Sequence, residues 1–80
     1  MVRSRIQAGK NHRKASRRVR DAGGVVARSL THRRRIVSFY QACPEGYEVD
    51  HIVAVANGGS HTLRNLQYLT KAENSRKGNR

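Results

Sequence analysis

The stretch "YEVDHIVAVANGGSH", residues 47–61, decides how this chain folds. Tyr47, Val49, His51, Val53 and Val55 alternate with Glu48, Asp50, Ile52 and Ala54. That alternation marks a β-strand starting near Tyr47. The run sets an acid and a histidine side by side, Asp50 and His51. Neighbours on a regular strand point to opposite faces, so a strand regular through both residues would separate them. The expected resolution is a strand that ends or twists near His51, so that both side chains border one cleft. The "ANGGSH" loop follows, where Gly58 and Gly59 read as a turn with φ > 0.

Working outward, "NLQYL" at 65–69 reads as a second short strand. "TKAENSRKG" reads as a short helix, with Thr70 and Glu73 as a capping box and Gly78 where a glycine cap belongs. Upstream, "THRRRIVSFYQAC" reads as a helix capped by Thr31. Ile36, Phe39, Tyr40 and Cys43 fall on one stripe, with Arg33, Arg34 and Arg35 on the wet side. Pro44 stops that helix, and "PEG" turns the chain. A two-stranded hairpin is marginal alone, so the 70s helix and the Phe39 stripe must hold it. Tyr47, Tyr68 and Cys43 read as core residues.

The net charge is +12, and it is unevenly placed. Residues 1–40 carry twelve Lys or Arg against one acid, Asp21, whereas residues 41–80 carry five bases against four acids. A polycationic half implies a polyanionic partner, and DNA is the expectation. Arg13, Lys14, Arg17, Arg18, Arg20, Arg33, Arg34 and Arg35 are the candidate DNA contacts. Residues 1–20 offer few apolar side chains, too few for a membrane-surface helix and too few to pack a core. They read either as disordered or as a helix stabilised by a partner. "DAGGVV" at 21–26 breaks that segment. Eighty residues make one small domain, read as a basic arm over 1–28 and a domain over 29–80. No apolar run spans a bilayer, and "MVRSRIQAGKNHRK" lacks the apolar segment of a secretory signal. With Cys43 as the single cysteine, a reducing compartment is the expectation and an internal disulfide is excluded.

"VDHI", then "GGSHTLRNLQYLT", then "ENSRKGN" occur in order. Together they resemble the HNH endonuclease family and its ββα-metal fold, over residues 43–80. The implied fold class is α+β, a small ββα core with a preceding helix and the basic N-terminal arm. The resemblance implies a metal-dependent DNA endonuclease that nicks or cleaves phosphodiester bonds. His51 would be the general base and Asn65 would bond across the loop to hold His51 in line. Asp50 and Asn74 would be the protein ligands of one divalent metal. Mg2+ or Mn2+ suits such oxygen donors best, and other divalent ions also fit. His61, Arg76 and Lys77 are auxiliary candidates for phosphate or, in the case of His61, for the metal. A solvated loop histidine is an equal reading of His61. The phage-type look implies a cytoplasmic, phage-encoded protein in a bacterial host, with no membrane role and no packaging or replication partner legible.

The sequence departs from the family pattern in three places. Asn74 stands where His is common, which makes an H-N-N variant. The cysteine pairs of many members are absent, so no structural zinc is expected. Ala54 stands where a proline often follows "DHI". Taken singly, Asp50 would be a hydrogen-bonded strand-end acid and His51 a structural histidine; their joint spacing with Asn65 and Asn74 favours the site. The rival function is a basic nucleic-acid-binding module with an unused HNH-like site.

Overall fold

The computed structural model describes residues 4–78, so the outermost residues of the arm and Asn79 of the motif lie outside it. The chain is α+β. Helix α1 spans Arg5–Asp21 and α2 spans Leu30–Gln41. Strands β1 (Tyr47–His51) and β2 (Leu66–Thr70) pair antiparallel, and α3 spans Lys71–Lys77. The two-strand sheet followed by α3 is the ββα core, and α1 packs on α2 beside it.

Local chemistry explains most of the boundaries. In α3 the Thr70 side chain accepts from Glu73 N–H and the Glu73 side chain accepts from Thr70 N–H, so the capping box is complete. Gly78 closes the helix at φ 61°. Helix α2 begins two residues before the expected Thr31, because Ser29 takes the cap and its side chain accepts from His32 N–H. Both residue types cap well; here Leu30 already has helical geometry and moves the start upstream. Ile36, Tyr40 and Cys43 are buried and Phe39 packs against the core, while Arg33, Arg34 and Arg35 are exposed. Tyr68 stacks on Phe39 with ring centroids 4.1 Å apart and donates its hydroxyl to Phe39 O at 2.6 Å. Tyr47 does not join the core. It lies at the strand's exposed start with 39 % of its surface accessible.

Residues 4–20 depart most from expectation. Ser4 caps α1, and the helix buries Ala8, Gly9, His12, Ala15 and Val19. Ala8, His12, Ala15 and Val19 recur every three or four residues, and Gly9 lies beside them, which makes one helical stripe. Small residues let α1 approach the rest of the chain closely, so the segment packs a core that is poor in large apolar groups. Ala8 and Ala15 belong to the same cluster as Ile36, Tyr40 and Leu66.

The "DAGGVV" break then brings the chain back onto the loop after β1. His61 N donates to Val25 O at 2.8 Å and Ala27 N donates to His61 O at 3.1 Å. The two glycines of that loop serve different ends. Gly58 has φ 85°, the left-handed conformation that glycine adopts without penalty. Gly59 is buried, and a Cβ there would lie 1.8 Å from Val53 O. Its need is therefore close backbone approach within the protein, not a positive φ.

Candidate active site

Strand β1 ends at His51, and the chain leaves the sheet directly after it. Along the strand, Glu48 and Asp50 share one face while Val49 and His51 share the other. A cleft of about 920 Å³ crosses the end of the strand and takes in both faces. Asp50 and His51 both line it. Asn74 and Lys77 of α3 line it as well, as do Lys14 and Arg18 of α1.

On the α3 side, positions i and i+3 of the helix meet positions i and i+2 of the strand. Asn74 Nδ2 donates to Glu48 Oε1 at 2.8 Å, and Lys77 Nζ pairs with Asp50 Oδ2 at 2.5 Å. Gln67 Nε2 also donates to Asp50 Oδ2, at 3.1 Å. Asp50 and Asn74, expected to meet at a metal, are thus each bonded to another side chain. Lys77, expected at phosphate, instead donates to Asp50 and to the carbonyls of His51 and Ile52. Its ammonium is a cation held by three converging oxygens. Arg76 is exposed on the same helix and makes no part of the cleft lining. Glu48 was missed in the sequence. Its only signal was its place two residues before Asp50, which puts both carboxylates on one strand face.

The other face of β1 carries the histidines. His51 Nε2 lies 3.0 Å from His61 Nδ1, and His61 Nε2 lies 3.0 Å from His12 Nδ1. His61 is completely buried, so it is not a solvated loop residue. Both its nitrogens are taken by histidines and its backbone is clamped by residues 25–27. Burial, reinforced by its histidine neighbours, pushes the His61 imidazole down to about 3. Burial likewise lowers His51, with Arg18 adding to the effect and Asp50 opposing it. His12 is lowered by burial and then by Arg13 and Arg33. Neutral imidazoles are therefore the working forms at neutral pH, and a neutral His51 is a proton acceptor.

Asn65 braces the backbone beyond the strand. Its Oδ1 accepts from Val53 N–H at 2.9 Å, and its Nδ2 donates to Val53 O at 3.2 Å and to Ser60 O at 2.7 Å. Ile52 N–H donates to Asn65 O at 2.7 Å. The brace lies across the loop as expected. It grips the chain one and two residues past His51, whereas the ring of His51 is held by His61.

The eight candidate DNA contacts are all exposed. Of these, Lys14 and Arg18 line the cleft, while Arg13, Arg17, Arg20, Arg33, Arg34 and Arg35 lie outside it. The oxygens facing α3 suit a hard cation: two carboxylates, an amide oxygen, and two carbonyls that already hold an ammonium. No group of three or more His, Cys, Asp or Glu side chains stands at metal-holding spacing among the described residues. No helix among them is long and apolar enough to cross a membrane.

Neither a curated protein nor a solved structure matches the chain. A family model described as HNH endonuclease matches residues 38–80, which takes in β1, the glycine loop, β2 and α3. With more than half of its length matched, carrying a ββα core and a histidine-acid pair at the strand end, the chain belongs to the HNH endonuclease family.

Proposed function

We propose that the protein is a metal-dependent DNA endonuclease with His51 as general base. The observation that carries this reading is the cleft itself. His51, Asp50 and Asn74 line it together, and so do two cations of α1, Lys14 and Arg18. Nucleic acid is the substrate class that family membership implies, and the polycationic N-terminal half fits a DNA backbone. In this reading residues 29–80 carry the chemistry, and residues 1–28 are a basic arm that doubles as a wall of the cleft.

The residues divide the task by chemistry. His51 Nε2 is engaged with His61, which leaves Nδ1 to accept the proton of an attacking water. Asp50 and Asn74 would hold one divalent ion, Mg2+ or Mn2+, and Glu48 stands beside Asn74 as a further oxygen donor. When bound, such an ion supplies charge stabilisation at the phosphate and its leaving oxygen. Lys14 and Arg18 attract the phosphodiester into the cleft without reading base sequence. Asn65 keeps the backbone after His51 from shifting the ring. The phage-type resemblance suggests a phage-encoded protein acting in a bacterial cytoplasm.

One observation favours the rival, a nucleic-acid-binding module with an unused site. The Asp50 carboxylate is already neutralised by Lys77, so an ion must displace that ammonium. A supercoiled-plasmid assay with Mg2+ or Mn2+ separates the two. Wild type should nick and His51→Ala should not. Retained DNA binding with no nicking by wild type would favour the binding module, and equal nicking by both proteins would remove His51 as base.

A further inference from the structure

His61 is the middle member of a row of three imidazoles that begins on α1 and ends at the cleft. A neutral imidazole has one N–H and one lone pair, so it donates from one nitrogen and accepts at the other. His61 has a histidine nitrogen 3.0 Å from each of its own. The directions of the two hydrogen bonds are therefore tied together. Either all three rings carry hydrogen on Nε2, or all three carry it on Nδ1. Any mixed state puts two N–H groups or two lone pairs face to face at a buried contact, which leaves a polar group unsatisfied. Only the first arrangement leaves a lone pair on His51 Nδ1.

We propose that His61 and His12 are positioning residues for His51: the three-imidazole chain fixes His51 as the Nε2–H tautomer and so leaves its Nδ1 lone pair for the cleft. The proposal rests on the reading of His51 as the general base.

Several features hold the chain in this form. Protonated His61 could donate in both directions and uncouple the bonds, but burial and its imidazole neighbours suppress that state. Its backbone is pinned on both sides by Val25 and Ala27. Tyr40, also buried, packs beside its ring with centroids 6.1 Å apart. Nε2–H is the intrinsically preferred tautomer of a neutral histidine side chain, and the coupling adds that preference over three rings. When His51 takes a proton at Nδ1, its Nε2–H still donates to His61 Nδ1. The imidazolium keeps its acceptor, no proton moves along the row, and the captured proton leaves by the cleft.

The far end of the row, His12, lies outside the residues that match the family model. Helix α1 thus does more than supply charge: it terminates the chain that orients the base. Sequence spacing gave no sign of this, since His12 and His61 are 49 positions apart.

Long-range 1H–15N correlation NMR on the full chain at neutral pH, without added metal, reads each histidine tautomer directly. The expected result is Nε2–H for His12, His51 and His61. An Nδ1–H tautomer at any of the three, or a cationic His61, overturns the proposal. His12→Phe removes the terminal acceptor. It should bring Nδ1–H signal into His51 and lower kcat for plasmid nicking on the order of tenfold, with KM little changed. His12→Asn, whose oxygen replaces Nδ1 as acceptor, should restore both. Wild-type tautomers and wild-type kcat in His12→Phe would overturn the proposal. The NMR arm needs no turnover, so it stands apart from the base assignment. If His51→Ala nicks like wild type while the tautomers are as expected, it is the base assignment that fails.

Discussion

Acid should destabilise this protein through its buried histidines. His61 is neutral in the fold, with its imidazole pushed down to about 3, whereas an unfolded histidine titrates near pH 6.5. The folded value is depressed, so below pH 6.5 the unfolded chain binds a proton that the folded chain refuses. Stability is then fully present above pH 6.5 and falls as the pH drops towards 3. From pH 6.5 to 5 the gap is about 1.5 pH units, and each unit is worth about 1.4 kcal/mol, giving a loss of about 2 kcal/mol from this residue. The figure at pH 5 depends only on the folded value lying well below 5. His12 and His51 are shifted in the same direction and add to the loss. A domain of this size has roughly 4–12 kcal/mol in total, so a large fraction goes. Urea unfolding followed by circular dichroism at pH 7.5 and pH 5 measures it. His61→Gln keeps a donor and an acceptor but removes the titrating ring, and should recover about 2 kcal/mol of the pH-dependent difference. Equal stability of wild type at the two pH values, or an unchanged pH difference in His61→Gln, would refute the reasoning.

Three further outcomes follow from the geometry. Gly59→Ala would put a Cβ 1.8 Å from Val53 O and 2.7 Å from Val53 C; these are backbone atoms with no rotamer to yield, so a loss of about 3 kcal/mol or more is expected in thermal melts, and a melting temperature within a degree or two of wild type would contradict that close approach. Lys77→Met frees the Asp50 carboxylate and should tighten Mn2+ binding in calorimetry about tenfold, if the ammonium competes for that site; equal or weaker binding would show that it does not. Replacing Lys14 and Arg18 with alanine should lower DNA affinity at every sequence tested and reduce the slope of log affinity against log salt by about 0.9 for each phosphate that is no longer neutralised, and an unchanged slope would place the DNA elsewhere.

The family motif was legible because its parts are local. The Thr70–Glu73 capping box and the Gly78 stop are written within nine residues and came out as read. The strand pair followed from alternation, and the strand end at His51 followed from the need to bring two adjacent side chains to one cleft. A helix was one of two readings of the N-terminal segment, but the packing of α1 into the core was illegible for a physical reason. Its buried stripe is Ala8, Gly9, His12, Ala15 and Val19, and neither alanine nor glycine raises the apolar periodicity that a reader counts. Histidine on a buried stripe reads as polar until its partner is known, and the partner here is supplied by a loop that only the tertiary fold brings near.

The same limit explains why the site was half read. The candidate residues of the HNH motif were read from their order in the chain, but what restrains each of them comes from elsewhere. Lys77 covers Asp50, Glu48 holds Asn74, and His61 holds His51. These contacts decide the state of the site more than the motif does. A carboxylate paired with an ammonium binds a second cation only by displacing the first. An amide that donates Nδ2 to Glu48 has a fixed orientation, and its Oδ1 is the atom left to accept or to ligate. A base whose Nε2 is occupied must act through Nδ1. Alternation alone would have placed Asp50 and His51 on opposite faces, and it was correct for the strand. The fold does not abolish that opposition. It ends the strand, lets one cleft wrap the end, and lines the two sides differently, with α3 facing the carboxylates and α1 bracing the histidines. In the proposed nuclease reaction, Asp50 and His51 then serve one phosphate while each keeps a different set of restraining neighbours.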